Sequence, residues 1–501
     1  MTNSPKTPTP EQDACVAAFQ TERDLVIQAG AGTGKTSTLE LCARTTTDRG
    51  AYVAYNRAIA DDAGRRFPGS VTCKTGHGFA YGAVGKDYRH RLNGGRIPAR
   101  RVAQLLGIVE ILHLQTEAGP VHLTPEKLAR LVTGAVGRFC YSDEPEPRAW
   151  HVPELVGVEG DAKRDLASVV LPLAKRAWAD VERHDGVLPF THDCYLKLWQ
   201  LRGPRIACDY LLLDEAQDAN PVMAAIVRAQ EHAQIVLVGD SCQQIYAWRG
   251  ARDVMSDWPG SPEVCQLSRS FRFGPAVAAE ANKWLGVLGA QLTLTGHDPI
   301  PSRVCEPGEG SPDAILCRSN AKAVTECMDA IKAGTKVALV GGGGQIRALA
   351  EAAEQLKAGR GCAHPDLMAF DTWGALQDYV EHDEGGSDLR TFVRMVDKMG
   401  ADVLLAACDE LVSEDAADLT VSTAHKAKGR EWDHVRIAGD FQEPAEDGEG
   451  PSRPDAMLAY VSVTRAKLVL DRGGLEWIDD WYPTRRKAAP AQAELALAGE
   501  G

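Results

Sequence analysis

Lysine, threonine and small residues are grouped at Gly30-Ala-Gly-Thr-Gly-Lys-Thr36, directly after the apolar run Leu25 to Ala29. That composition suits a loop that cradles a polyphosphate. Small side chains let successive backbone N–H groups converge on phosphate oxygens, and the helix that follows presents the positive end of its dipole. Lys35 adds a point charge and the Thr36 hydroxyl can ligate Mg2+. Ala29 stands where the usual pattern starts with glycine, one methyl group away from the regular motif. The expected nucleotide-binding stretch is therefore Ala29, Gly30, Ala31, Gly32, Thr33, Gly34, Lys35, Thr36 and Ser37. The alternative is a glycine-rich turn ahead of an ordinary helix.

A hydrolytic site also needs carboxylates, and Leu211-Leu-Leu-Asp-Glu-Ala-Gln-Asp218 supplies them. Tyr210 to Leu213 is an apolar run short enough for a buried parallel strand, which would place the acids at its carboxyl end, where α/β sheets bind ligands. Asp214 is the expected Mg2+ partner and Glu215 the carboxylate that orients and deprotonates an attacking water. A solvated acidic turn would not follow four uncharged apolar residues so directly.

Asp214-Glu-Ala-Gln-Asp218, followed by Val238-Gly-Asp-Ser-Cys-Gln-Gln-Ile-Tyr-Ala-Trp-Arg-Gly-Ala251, resembles motifs II and III of UvrD/Rep-type superfamily 1 DNA helicases. Further motifs occur in family order. Thr9-Pro-Glu-Gln12 resembles the Q motif, Ala54-Tyr-Asn-Arg57 and Thr75-Gly-His77 motifs Ia and Ib, and Ser270-Phe-Arg272 motif IV. Thr423-Ala-His-Lys-Ala-Lys-Gly-Arg-Glu431 resembles motif V, and Leu458-Ala-Tyr-Val-Ser-Val-Thr-Arg-Ala466 motif VI. Within the family the core is most similar to the F-box DNA helicases, through Asn56-Arg-Ala-Ile-Ala60, Arg66-Phe-Pro68 and Phe190-Thr-His-Asp-Cys-Tyr-Leu-Lys-Leu-Trp199. Few residues precede Gln12, so no F-box is expected ahead of the core.

The resemblance implies an α/β protein with two RecA-like P-loop domains in tandem, each with a mainly helical insertion. It implies ATP as nucleotide and single-stranded or tailed duplex DNA as partner, acted on in a 3′ to 5′ sense. Gln12 would read adenine and Phe271 stack on it, while Glu431 would complete the nucleotide contacts. Arg272 and Arg465 would reach the γ-phosphate from across the cleft, so that hydrolysis depends on closure. Gln243 would sense the same phosphate and report to Tyr246, Trp248 and Arg249, whose aromatic faces suit unpaired bases. Tyr55, Asn56, Thr75, His77, Thr423 and His425 would hold the strand from both lobes. A protein that loads or activates the motor is a further partner, and a monomer or weak oligomer is the expected state.

Three departures qualify these roles. Ser37 replaces the arginine that many relatives carry after Gly-Lys-Thr, so adenine is expected to lose a stacking partner. Ala54 stands where an aromatic is common, with Tyr55 as its neighbour. Asp455, Ala456 and Met457 replace the usual acidic and arginine residues ahead of motif VI.

Motif order divides the chain into a first RecA-like domain, residues 1–80 and 201–260, interrupted by an insertion over 81–200. A second comprises 261–343 and 418–484, with a short insertion over 344–417; residues 485–501 are expected to form a disordered tail. Helices are expected at Arg100 to Leu114 and Leu166 to Val181 in the first insertion. In the second they are expected at Asp366 to Tyr379 and Leu389 to Leu411, with Gly341-Gly-Gly-Gly344 as a turn at its start. Thr191 reads as the N-cap of a helix packing Tyr195, Leu196, Leu198 and Trp199 inward, with a DNA contact by His192 as the other reading.

The chain has 501 residues, 44% of them hydrophobic, ample for several cores. No window approaches a membrane span and the first residues lack an apolar leader, which points to a cytoplasmic enzyme, prokaryotic or phage-encoded. Thirteen cysteines without a C-x-x-C pattern read as reduced small hydrophobes, not as a disulfide or metal framework. The net charge of −14 does not exclude a nucleic-acid partner, because distribution matters more than the sum. Lys86, Arg89, Arg91, Arg96, Arg100 and Arg101, with Tyr88 among them, could line a groove for a phosphate backbone. Glu443 to Glu449 reads as an exposed acidic linker. Two other functions compete: a DNA-responsive ATPase that strips proteins and unwinds little, and an unrelated P-loop kinase or GTPase, which would have no use for Thr423 to Glu431 or Leu458 to Ala466.

Overall fold

A computed structural model describes residues 7–481, apart from 93–96, 118, 246–252, 365–366, 369, 383–386 and 445–449. The expected tail, the acidic centre of the 443–449 linker and Arg96 lie outside the described residues. In chain order the strands are β1 Leu25–Ala29, β2 Gly50–Ala54, β3 Val71–Thr75, β4 Leu112–Thr116, β5 Gly119–Leu123, β6 Tyr210–Leu213, β7 Gln234–Gly239 and β8 Glu263–Leu267. They continue with β9 Arg303–Cys305, β10 Ala314–Cys317, β11 Val337–Leu339, β12 Leu419–Thr423, β13 Trp432–Ile437 and β14 Ala466–Asp471.

Two six-stranded parallel sheets result, ordered β3-β2-β6-β7-β1-β8 and β11-β12-β10-β13-β14-β9. Their central strands are short and apolar throughout, as burial on both faces demands: β6 reads Tyr-Leu-Leu-Leu and β10 Ala-Ile-Leu-Cys, every residue buried. Parallel strands send all their carboxyl ends to one edge, so the loops after β1, β2, β3, β6 and β7 gather there.

The first insertion packs the helices Pro125–Cys140, Gly160–Glu182 and His192–Leu201 into one core with the first sheet. The expected helix at Leu166 to Val181 lies inside Gly160–Glu182, and Thr191 is the N-cap of His192–Leu201, whose Tyr195, Leu196, Leu198 and Trp199 are buried. The expected helix from Arg100 to Leu114 is corrected. It spans Ala99–Leu105 and ends where Gly107 turns left-handed at φ 64°, after which β4 and β5 form an antiparallel hairpin. Leu112 and Leu114 share the inward face of β4 while His113 and Gln115 are exposed, the two-residue alternation of a strand.

The second insertion contains the helices Gly344–Lys357, Trp373–His382, Ser387–Met399 and Ala401–Asp409. The glycines at 341–344 therefore lead straight into a helix, the Asp366 helix starts later at Trp373, and the Leu389 helix breaks at Gly400, φ 90°. The domain division at residue 260 is also corrected: β8 adds to the edge of the first sheet beside β1, in register from Leu25 opposite Glu263 to Ala29 opposite Leu267. Among the described residues no helix is long and apolar enough to cross a membrane.

Candidate nucleotide site and DNA-facing loops

The loop after β1 turns on two left-handed glycines, Gly32 at φ 73° and Gly34 at φ 82°, the latter capping the helix Lys35–Ala43. A Cβ on Gly32 would sit 2.6 Å from Ser270 Oγ and 2.7 Å from Arg272 Cβ, so the residue must be glycine for the crossover segment after β8 to approach. Phe271 N–H donates to Gly32 O at 2.8 Å and fixes that segment over the loop. Phe271 and Arg272 are thereby aimed at the site by the chain leaving the first sheet.

Lys35, Thr36, Asp214, Glu215, Gln243, Phe271, Arg272, Glu431 and Arg465 line one cavity of about 920 Å3 between the two sheets. Lys35 Nζ lies 2.7 Å from Glu215 Oε1, and Thr36 Oγ1 donates to Asp214 Oδ2 at 2.8 Å. Tyr52 OH donates to the same Asp214 oxygen at 2.7 Å. Glu215 holds a left-handed backbone, φ 53°, where only one other non-glycine residue of the described chain has a positive φ. Strain of that kind persists where the surroundings over-determine it, as around a site that must aim a side chain.

Burial opposes ionisation of Glu215, but the charges of Lys35 and Lys428 and the bond from Gln217 outweigh it and hold the carboxylate below its usual range. Asp214 is pushed up by burial and then by the charge of Glu215. Burial likewise raises Asp218, to about 6, against the pull of its salt bridge with Lys428.

Arg465 is 1% exposed and makes no salt bridge among the described residues. Its Nε donates to Val461 O at 2.9 Å, Nη1 to Arg430 O at 3.2 Å, and Nη2 to Thr464 Oγ1 at 3.0 Å and to Gln243 Oε1 at 3.4 Å. Burial, then the like charge of Arg272, lowers its pKa to about 9. Arg272 is anchored by Glu431, Nε to Oε2 at 2.6 Å. Gln243 Nε2 donates to Asp240 Oδ2 at 2.6 Å, and Tyr460 OH donates to the same oxygen at 3.0 Å while accepting from Ala31 N–H at 3.2 Å. One tyrosine from the second half thus touches the phosphate loop and the segment after β7.

Sequence reading did not single out Lys428, Asp218, Tyr460 or Arg66. Lys428 bonds Asp218 and Gln243 O across the cleft, and its only signal was its place in the Lys-Gly turn of the motif V segment. Gln12 lies beside the loop, but its amide is engaged: Oε1 accepts from Thr9 N–H and Nε2 donates to Thr38 Oγ1 at 3.2 Å. Phe271 is 37% exposed.

The residues expected to hold DNA sit at carboxyl ends of strands, and three of them are helix caps. Asn56, Thr75 and Thr423 accept from the backbone of Ile59, Gly78 and Lys426. His77 Nε2 is 2.9 Å from Asp193 Oδ1, Tyr55 is half exposed, and His425 lies in the short helix Ala424–Ala427. Tyr246, Trp248 and Arg249 lie outside the described residues. His192 Nδ1 faces Tyr195 OH at 3.1 Å. The basic groove is corrected at two positions. Arg91 is buried, donates to the carbonyls of Val181, Arg183 and Leu188, and lies over the Phe190 ring, on which Tyr88 stacks at 4.8 Å. Arg89, Arg100 and Arg101 remain exposed.

The phosphate loop, the paired acids after β6 and two arginines facing them define a P-loop nucleoside-triphosphate site, and residues 12–249 match the AAA domain family. The chain is 30% identical to F-box DNA helicase protein 1 of Schizosaccharomyces pombe, over 88% of this chain and 54% of that protein. It is 31% identical to F-box DNA helicase 1 of Gallus gallus, over 89% of this chain and 46% of the other. A shorter stretch, 21% of this chain and 17% of the relative, is 33% identical to DNA helicase II of Escherichia coli. The chain is a UvrD-like superfamily 1 protein related to the F-box DNA helicase branch, and spans about half the length of those F-box relatives.

Proposed function

We propose that the chain hydrolyses ATP with Mg2+ to drive 3′ to 5′ movement along single-stranded DNA, and that it acts as a DNA helicase in repair, recombination or replication. The observation that carries this reading is Arg465, a buried guanidinium without a carboxylate partner among the described residues, sharing one cavity with Lys35 and Glu215. A buried charge left in that condition suits a site completed by an anionic ligand.

The N–H groups of Gly30 to Ser37 would hold the phosphates, with Lys35 moving from Glu215 to the β/γ oxygens. Glu215, released from its ion pair, would then orient the attacking water and accept its proton. Arg272 and Arg465 would stabilise the charge that develops on the transferring phosphoryl group, and Gln243 would report its presence through Asp240 and Tyr460. Thr36 Oγ1 and Asp214 Oδ2 are adjacent hard oxygen donors, a set that fits Mg2+, which keeps several waters and needs few protein ligands. The ion would neutralise phosphate charge.

DNA would cross the edge where β2, β3 and β12 end, against Tyr55, Asn56, Thr75, His77, Thr423 and His425, with Tyr246, Trp248 and Arg249 stacking on bases. Polarity rests on the motif resemblance. A second reading, a DNA-stimulated ATPase that strips proteins and needs a loading partner, is favoured by the shortness of the second insertion, residues 344–417. Strand displacement on 3′-tailed and 5′-tailed duplexes, with Lys35→Ala as control, separates them. Preference for the 3′ tail supports the helicase. ATP-driven translocation without displacement supports the second reading, and displacement of the 5′-tailed substrate alone contradicts the polarity.

A further inference from the structure

The first turn of the helix Lys35–Ala43 is approached by three side chains from other parts of the chain. Gln12 reaches Thr38, and Phe271 lies within 3.9 Å of a Cβ placed on Gly34. Arg66, the last residue of the helix Arg57–Arg66, donates through Nη2 to Ser37 Oγ at 3.1 Å. Ser37 is the position where the motif resemblance implies an arginine, and here a guanidinium arrives beside it from a different helix.

The Arg66 group is held by its edges. Nε and Nη2 both donate to Glu40 Oε2, at 3.1 and 2.8 Å, and Nη1 reaches Asp62 Oδ2 at 3.4 Å. All guanidinium hydrogen bonds lie in the plane of the group, so these contacts fix its orientation through its edges. The side chain is 37% exposed and lines the same cavity as Phe271 and the phosphate loop. Asn56, Ile59, Asp62 and Arg66, spaced by three or four residues, form the face of their helix that borders this cavity.

We propose that Arg66 forms, together with Phe271, the slot that grips the nucleobase, its guanidinium face stacking on the ring in place of the arginine missing at Ser37. The inference rests on the ATP-binding reading. It also places the base at one end of a single ten-residue helix whose other end is capped by Asn56, beside Tyr55 at the proposed DNA edge. A planar cation on an aromatic ring is base-tolerant, so the slot sets affinity and not choice among bases.

The test compares ATP affinity with the inhibition constant of inorganic tripolyphosphate, which fills the phosphate loop but has no base, in wild type, Arg66→Ala and Arg66→Lys. Arg66→Ala should weaken ATP about tenfold and leave tripolyphosphate within about twofold. Arg66→Lys keeps the charge and the Glu40 pairing but lacks the flat face, and should be nearly as weak for ATP. Unchanged ATP affinity in Arg66→Ala, equal weakening of both ligands, or full recovery by lysine would each overturn the slot. A wild type that binds tripolyphosphate and ATP equally would overturn the slot alone, whereas one that binds neither would overturn the ATP reading as well.

Discussion

Two cations are almost wholly buried in this protein, and they are treated in opposite ways. Lys197, in the first insertion, donates to Ser142 O, Glu144 O and Gln200 Oε1 at 2.6 to 2.7 Å, so all three ammonium protons are used. Burial brings it down to about 8, while the carboxylates of Asp143 and Glu144 favour its charge. Arg465, in the cleft, faces another cation, Arg272, and holds Gln243 only at 3.4 Å. The insertion closes its polar network within itself, as a structural element should. The cleft leaves positive charge in excess, as a site for a polyanion should.

If that contrast is right, removing the two cations must have separable effects. Arg465→Ala should lower kcat by about a thousandfold while ATP affinity stays within about tenfold, because its contribution grows as charge develops in transfer. Steady-state kinetics and nucleotide titration would check it, and a variant that raises only KM would break the comparison. Arg272→Ala should behave alike, whereas Lys35→Ala should also lose nucleotide binding and Glu215→Gln should retain it.

Lys197→Met should instead destabilise the fold by about 3 kcal/mol, since three buried oxygens lose their donor, while the folded enzyme keeps its kcat. Chemical denaturation paired with activity per folded molecule measures both. A smaller effect concerns His151 in the same network, whose Nδ1 accepts from Arg148 N–H and whose Nε2 meets Ser142 Oγ at 2.9 Å. Burial pushes its imidazole from 6.5 to about 4, so between those values the unfolded chain binds the proton first. Its contribution is complete above pH 6.5 and fades as pH falls toward 4, by about 3 kcal/mol at most. Unfolding midpoints across that window should fall less steeply in His151→Gln than in wild type.

What the sequence made legible follows a physical divide. The phosphate loop and Tyr210 to Asp218 could be read directly because strand, turn and chemistry are contiguous there, and a four-residue apolar run can hardly be anything but a buried strand. Arg66 and Lys428 could not be read, because each acts on residues brought near only by crossovers between parallel strands. Arg91 was read as a surface cation because its basic neighbours are exposed; the carbonyls that bury it come from some ninety residues further along. Leu112 and Leu114 are two residues apart, a strand spacing that a helix over Arg100 to Leu114 does not accommodate, and Gly107 ends the helix before them. The strand Glu263–Leu267 was assigned to the second half because it follows motif III, although pairing with β1 returns it to the first.

In the proposed motor, nucleotide hydrolysis in the cleft is conditional on DNA at the sheet edge. The most direct measurement is the steady-state rate of ATP hydrolysis by the wild-type chain with and without single-stranded DNA, with Glu215→Gln as background control. The account predicts at least about tenfold stimulation by single-stranded DNA and no DNA-dependent rate in Glu215→Gln. An equal rate with and without DNA, or stimulation that survives in the Gln variant, would contradict it.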